Sequence, residues 1–134
     1  MRKFNIIFFV NKGISTPTAR FRGYFFSKKI KSKNNKSHVY KVDEIYKRYQ
    51  FSFKRLKKIR EYFYKIKSTK KNDIIYLVKT VYNIDFLLVI IMAKLFLKKK
   101  LIFDFDDAIY LKPFTKISTL LLVGISDIVI VGSN

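Results

Sequence analysis

Residues 101 to 111 read LIFDFDDAIYL and set Asp104, Asp106 and Asp107 in an otherwise apolar run. The chain carries 29 Lys and Arg against 9 Asp and Glu, so a third of its acids fall in this one stretch. Carboxylates this close raise one another's pKa, which suits proton transfer. They can also accept hydrogen bonds from substrate hydroxyls or hold a divalent cation. The plainer role is structural, with Asp106 or Asp107 capping the helix that follows. A strand covered on both faces cannot hold unpaired carboxylates cheaply, so these acids are expected at or beyond its carboxyl end. Period-2 alternation sends Phe103 and Phe105 to one face and Asp104 and Asp106 to the other, with Asp107 just past the strand.

The elements that must position them alternate along the chain. FNIIFFV at 4 to 10 is a continuous apolar run, as in a strand buried on both faces of a parallel sheet. Thr16 and Pro17 predict a helix start, cap then first-turn proline, and Phe21, Phe25 and Phe26 form a helical stripe reaching Lys29. SKNNKS at 32 to 37 reads as a polar turn and HVYKV at 38 to 42 as a short strand. Phe53, Leu56, Ile59, Phe63 and Ile66 recur at helical spacing within a very basic helix over 52 to 67. DIIYLV at 73 to 78 predicts a strand, 82 to 97 an apolar helix, 101 to 105 a strand, Pro113 to about Gly124 a helix, and DIVIV at 127 to 131 a fifth strand. Five strands alternating with four helices require right-handed crossovers. The expected fold is α/β, a Rossmann-like three-layer αβα arrangement on a parallel sheet of about five strands.

In such sheets ligands bind at the carboxyl ends of the strands, near the point where strand order reverses. The loop after the first strand offers Gly13, Ser15 and Thr16 ahead of a helix N-terminus, with Arg20 and Arg22 close by, a combination that attracts anions. It has neither the GxGxxG of a dinucleotide fold nor the GK[ST] of a P-loop, so neither NAD nor ATP binding is supported. The loop after the third strand offers Lys79, Thr80, Tyr82 and Asn83, polar groups suited to a sugar or a lipid headgroup.

Composition narrows the classes. At 134 residues there is room for one domain, 1–134, with a modest core. The hydrophobic fraction of 49% is far from that of disordered chains despite a formal net charge of +20. The absence of cysteine excludes disulfides and thiolate chemistry and fits a reducing cytoplasm. His38, the sole histidine, excludes a histidine-based metal cluster. Residues 28 to 71 carry 17 of the 29 basic residues, whereas Asp104 to Asn134 is net acidic. A basic lobe of this kind fits an anionic surface, though lysine at any solvated position gives the same count, and no nucleic-acid motif is present. FNIIFFV is short for a signal peptide and has no cleavage site. The stretch 84 to 97 is interrupted by Asp85 and Lys94 and is too short to span a bilayer.

Three segments together resemble a known family. FDFDDAIY at 103 to 110, DIVIVGSN at 127 to 134 and STPTARFRGY at 15 to 24 are similar, in order and spacing, to the amino-terminal domain of family 4 glycosyltransferases of the GT-B fold. The resemblance implies a single Rossmann-like domain belonging to a larger two-domain enzyme, this part binding the acceptor. The nucleotide-sugar donor would bind a carboxyl-terminal domain with a Glu-x7-Glu segment that lies outside this sequence, so this piece alone is expected to be inactive and to need no cofactor. Asp106 and Asp107 take the catalytic role; Gly13, Ser15, Thr16, Arg20, Arg22, Lys79, Asp104 and Asn134 take acceptor or anion binding; no metal is implied. Partners are then a sugar or lipid-linked acceptor and an anionic membrane surface met by the basic helix 52–67, with no nucleic acid, in the cytoplasm or peripheral on the inner face of the plasma membrane. Two rivals remain. Asp104-Phe105-Asp106 matches the metal-binding Asp-x-Asp of GT-A glycosyltransferases, and a flavodoxin-like or receiver-like anion-binding domain has similar size. The receiver would need an acidic pair where this chain has Asn11 and Lys12.

Overall fold

The computed structural model describes residues 4–11, 13–33, 35–42, 53–70, 72–79, 84–105 and 113–132. It is an α/β fold with the expected parallel sheet. The strands are β1 (Asn5–Val10), β2 (Lys36–Lys41), β3 (Ile74–Val78), β4 (Lys100–Phe105) and β5 (Ile128–Val131), in spatial order β2-β1-β3-β4-β5. Strand order reverses between β1 and β3. Register places Val10 beside Val78, Val78 beside Asp104 and Asp104 beside Ile130, so the carboxyl ends of the four strands lie level.

Right-handed crossovers decide which face each helix covers. Only the step from β1 to β2 runs toward one edge, and among the described residues its helical segment lies alone on one face. There Ile6, Phe8, Val10, Tyr76 and Val78 bury against Ala19, Tyr24 and Ile30. The other three steps run the opposite way, so α2 (Phe53–Lys67), α3 (Ile84–Leu95) and α4 (Pro113–Ile125) form the opposite layer. Ile7, Phe9, Ile75, Leu77, Leu101, Phe103 and Phe105 meet them there. Phe9, Tyr62 and Phe86 make a mutual edge-on cluster, with ring centroids 5.0 to 5.8 Å apart.

The first helix departs from the sequence expectation. It is a π-helical stretch over Ala19–Phe25 that passes into α1 (Phe26–Lys31), with one extra residue per turn accommodated in its first half. Its packing surface is smaller than the aromatic stripe suggested, since Phe21, Phe25 and Phe26 are exposed while Ala19, Gly23 and Ser27 are buried. The polar turn read at 32 to 37 is also shorter, because β2 begins at Lys36. Ser37 fits a strand interior because its hydroxyl donates to the Ser27 carbonyl and lies 2.8 Å from the Ser27 hydroxyl, which satisfies a buried polar pair. In α2, Tyr62 and Ile66 are buried, and Ile59 and Phe63 pack half-buried against the same core. Phe53, at 92% exposure, and Leu56 stand outside the core, and the first turn is held instead by an Arg55–Asp85 ion pair to α3.

Candidate functional site

The carboxyl edge of the sheet at the β1/β3 reversal is where this architecture places a site. β1 ends in Val10, and the following loop closes through Thr16, whose backbone N–H and hydroxyl both donate to the Gly13 carbonyl at 3.1 Å. Pro17 opens the helical segment, and the Thr16 carbonyl accepts from the Arg20 N–H at 2.9 Å. Thr16 therefore holds the cap position through its backbone, while its hydroxyl is spent inside the loop rather than on the helix N–H groups.

The π-helical stretch is drawn tightly onto β1 at Gly23. A Cβ there would sit 2.5 Å from Val10 Cγ1. That close approach carries the neighbouring Arg22 across the sheet to Asp104, with which its guanidinium forms an ion pair. Asp104 lies within β4, next to its last residue, at 2% exposure. Its second carboxylate oxygen accepts the Tyr76 hydroxyl at 2.8 Å. Tyr76 in turn packs on Phe8, with ring centroids 4.9 Å apart. Burial pushes the Tyr76 phenol well above its usual pKa, and the hydrogen bond to Asp104 adds to the shift, so the hydroxyl stays a donor. Beside them Lys79 leaves β3 with φ 68°, a left-handed conformation costly for a side-chain-bearing residue, and its N–H donates to the Asp104 carbonyl at 2.8 Å.

Of the residues singled out from sequence, Arg22, Asp104 and Lys79 are thus brought together. Gly13 and Thr16 form the adjoining turn, and Ser15 is exposed beside it. Arg20 is exposed and lies over the Phe21 ring at 5.4 Å. Asp106, Asp107 and Asn134, with Thr80, Tyr82 and Asn83, lie outside the described residues. Asp104 differs from the expectation of an acid at or beyond the strand end. It sits inside the strand, and what makes this affordable is that both carboxylate oxygens have charged or hydroxyl partners. In this state it is a fixed anchor rather than a free base. Tyr76 was missed, although a lone tyrosine in the aliphatic run IIYLV signals a buried hydroxyl that needs an acceptor.

Among the described residues no group of three His, Asp or Glu is placed to hold a metal ion, and no helix is long and apolar enough to cross a membrane. The helix layer has an unusual outer surface nonetheless. α4 turns Thr115, Ser118 and Thr119 inward with Leu122 and exposes Ile117 (68%), Leu120, Leu121 and Val123. The neighbouring α3 exposes Ile84, Leu88, Met92 and Leu95, and Phe96 follows it. On the far side of α3 lies α2, with Lys57, Arg60 and Lys67. Compared with family models, curated proteins and solved structures, the chain matches none of them.

Proposed function

We propose that this chain is the acceptor-side domain of a GT-B glycosyltransferase that works on a lipid-linked or polysaccharide acceptor at an anionic membrane surface. The observation that carries the reading is the apolar outer face of α3 and α4 set beside the basic α2, an arrangement suited to lying in a lipid interface with cations against its headgroups. The transferase chemistry itself rests on the likeness of FDFDDAIY, DIVIVGSN and STPTARFRGY to family 4 enzymes. On this reading a second domain holds the nucleotide-sugar, and an acceptor hydroxyl approaches the carboxyl edge of the sheet near the ends of β1, β3 and β4. Asp106 or Asp107 takes the hydroxyl proton as its oxygen bonds to the anomeric carbon and the nucleoside diphosphate leaves. The Arg22–Asp104–Tyr76 network keeps the loop after β1 and the end of β4 in fixed relation.

The GT-A rival is disfavoured by the same network. An Asp104–Asp106 metal pair would have to withdraw Asp104 from Arg22 and Tyr76, leaving a guanidinium and a buried hydroxyl without it. The order β2-β1-β3-β4-β5 favours a second reading, since it is the strand order of flavodoxin-like and receiver-like domains. A non-catalytic anion-binding domain of that type is the alternative.

The test has two parts. Sedimentation with phosphatidylcholine vesicles containing phosphatidylglycerol should bring the chain down, with binding weakened by salt and by Leu88→Ser with Leu120→Ser. Unchanged sedimentation of that variant refutes the membrane face. In the intact enzyme, Asp106→Asn and Asp107→Asn should abolish sugar transfer with little loss of stability. Full activity in both removes the catalytic assignment, and stoichiometric flavin binding or phosphoryl uptake would establish the alternative.

A further inference from the structure

On the first face of the sheet, the π-helical stretch and α1 carry an aromatic stripe that neither the packing of the fold nor the transferase reading uses. Their contact with the sheet runs through Ala19, Gly23 and Ser27, all buried, and the close approach at Gly23 leaves no room for bulk there. Phe21 and Phe25 stand two positions from those small residues, so the winding turns them away from the sheet. Phe26 adjoins them, its ring centroid 6.5 Å from that of Phe25. The three are 59%, 55% and 43% exposed. A helix that buries alanine, glycine and serine while exposing three phenylalanines forgoes the burial that ordinarily stabilises a fold, which points to a surface kept for a contact.

The stripe sits in positive surroundings. The first 42 residues of the chain hold eleven Lys and Arg and no Asp or Glu. Arg22 is taken by Asp104, but Arg20, Lys28 and Lys29 are exposed on the same helical segment, and among the described residues none of the three forms an ion pair. Lys29 continues the stripe one turn beyond Phe25, and Arg20 lies over the Phe21 ring. Size and charge decide what fits. At those exposures the three aromatic side chains offer roughly 300 Å² of apolar surface, against about 800 Å² per partner in a stable interface between folded chains. A second copy would also bring the same cations to the contact. The bilayer proposed above meets α3 and α4 on the opposite face, and a stacking nucleobase would compete with Arg20 for the Phe21 ring.

We infer that this face docks an acidic amphipathic segment of a protein partner, its apolar side chains on Phe21, Phe25 and Phe26 and its carboxylates on Arg20, Lys28 and Lys29. The aromatic anchors supply affinity by leaving water, while the flanking cations set orientation and reject basic partners. A helix presents an apolar stripe of matching pitch and covers an area of this size. The choice of a protein segment over a bilayer rests on the lipid face proposed above; the stripe and its charge do not.

The experiment is fluorescence anisotropy of a fluorescein-labelled synthetic helix of about 18 residues, with Leu at every third or fourth position, Glu beside them and Ala elsewhere. It is titrated with the 134-residue chain, alongside a peptide of the same composition in scrambled order. Saturable binding is expected for the patterned peptide, at least about tenfold tighter than for the scrambled one. Phe21→Ser with Phe25→Ser should weaken it by at least about tenfold and leave thermal unfolding nearly unchanged, both side chains being more than half exposed. Lys28→Ala with Lys29→Ala should weaken binding and lessen its salt dependence. Lys57→Ala with Arg60→Ala, which removes equal charge from α2, should change neither. Equal losses from the two charge pairs, equal binding of the two peptides, or binding that survives loss of both phenylalanines overturn the contact. Two further results overturn it by naming another occupant. Sedimentation with phosphatidylglycerol-containing vesicles that falls with the phenylalanine pair, and not with Leu88→Ser and Leu120→Ser, indicates a bilayer. An oligothymidylate bound more tightly than the peptide, and lost with the same pair, indicates nucleic acid.

Discussion

Asp104 and Arg22 stand 82 residues apart in sequence, and their pairing explains why a carboxylate occupies a strand interior. Removing one partner takes the ion pair from the other in a largely desolvated place, so Asp104→Ala or Arg22→Ala should cost toward the lower end of about 3–5 kcal/mol, Arg22 being 26% exposed. The double replacement Arg22→Met with Asp104→Leu should recover most of that loss in chemical denaturation, because no buried charge then remains unpaired. Equal losses in single and double variants would contradict this. Tyr76 adds a pH dependence. Its folded-state pKa is raised, so above about pH 10 the unfolded chain releases the phenolic proton while the folded chain retains it. The stabilisation is complete below that pH and is lost as pH climbs toward the folded value. Tyr76→Phe should cost about 1–2 kcal/mol at neutral pH and flatten the decline in stability above about pH 10; a wild-type decline no steeper than the variant's rules the effect out. The side of the strand taken by Asp104 was legible, because alternation in LIFDF is a local property. Its partners were not, since which helix residue crosses to β4 depends on how close that helix lies to β1.

That closeness belongs to the element between Thr16 and Ser32. Sequence periodicity identified a helix here and placed its start at Pro17, but its π-helical winding and its buried face escaped notice. An aromatic stripe is the usual mark of a core-facing side, yet this helix meets the sheet through small residues, Ala19, Gly23 and Ser27. The reason is steric: Gly23 rests on Val10, and bulk there would lift the helix from the sheet. Alanine normally stabilises a helix interior relative to glycine by about 0.5–1 kcal/mol. At Gly23 the sign should reverse, with Gly23→Ala losing about 1–3 kcal/mol to overpacking and Arg22 drawn away from Asp104. Thermal unfolding of Gly23→Ala beside an alanine at the uncrowded Gly124 distinguishes the two effects, and a stabilised Gly23→Ala would show the approach to be loose. The later elements were read nearly to the residue, because β3, α3, β4 and β5 are apolar runs bounded by charge. The inward polar face of α4 was not, since composition alone does not say which side of an apolar helix is outside.

At the scale of the whole molecule, chain direction accounts for the uneven covering of the sheet. One crossover runs toward β2 and three run toward β5, so among the described residues only the π-helical stretch and α1 lie on the first face, while three helices lie on the second. The first face is therefore covered over β1 and β3 and thinly covered over β4 and β5. Ile128 and Ile130, on the same side as Ile102 and Asp104, are 53% and 40% exposed, and among the described residues β5 is an edge strand, a position that favours pairing with another chain. A polypeptide of these 134 residues presents that patch to water and should self-associate through it. Replacing Ile128 and Ile130 with threonine keeps strand propensity, removes apolar surface, and at such exposure should alter stability by no more than about 0.5 kcal/mol per site. Sedimentation velocity should show the wild-type polypeptide associating at concentrations where the double variant remains monomeric. If both associate alike while Leu88→Ser with Leu120→Ser disperses the chain, association runs through the outer helix layer and the β4–β5 face is not the contact.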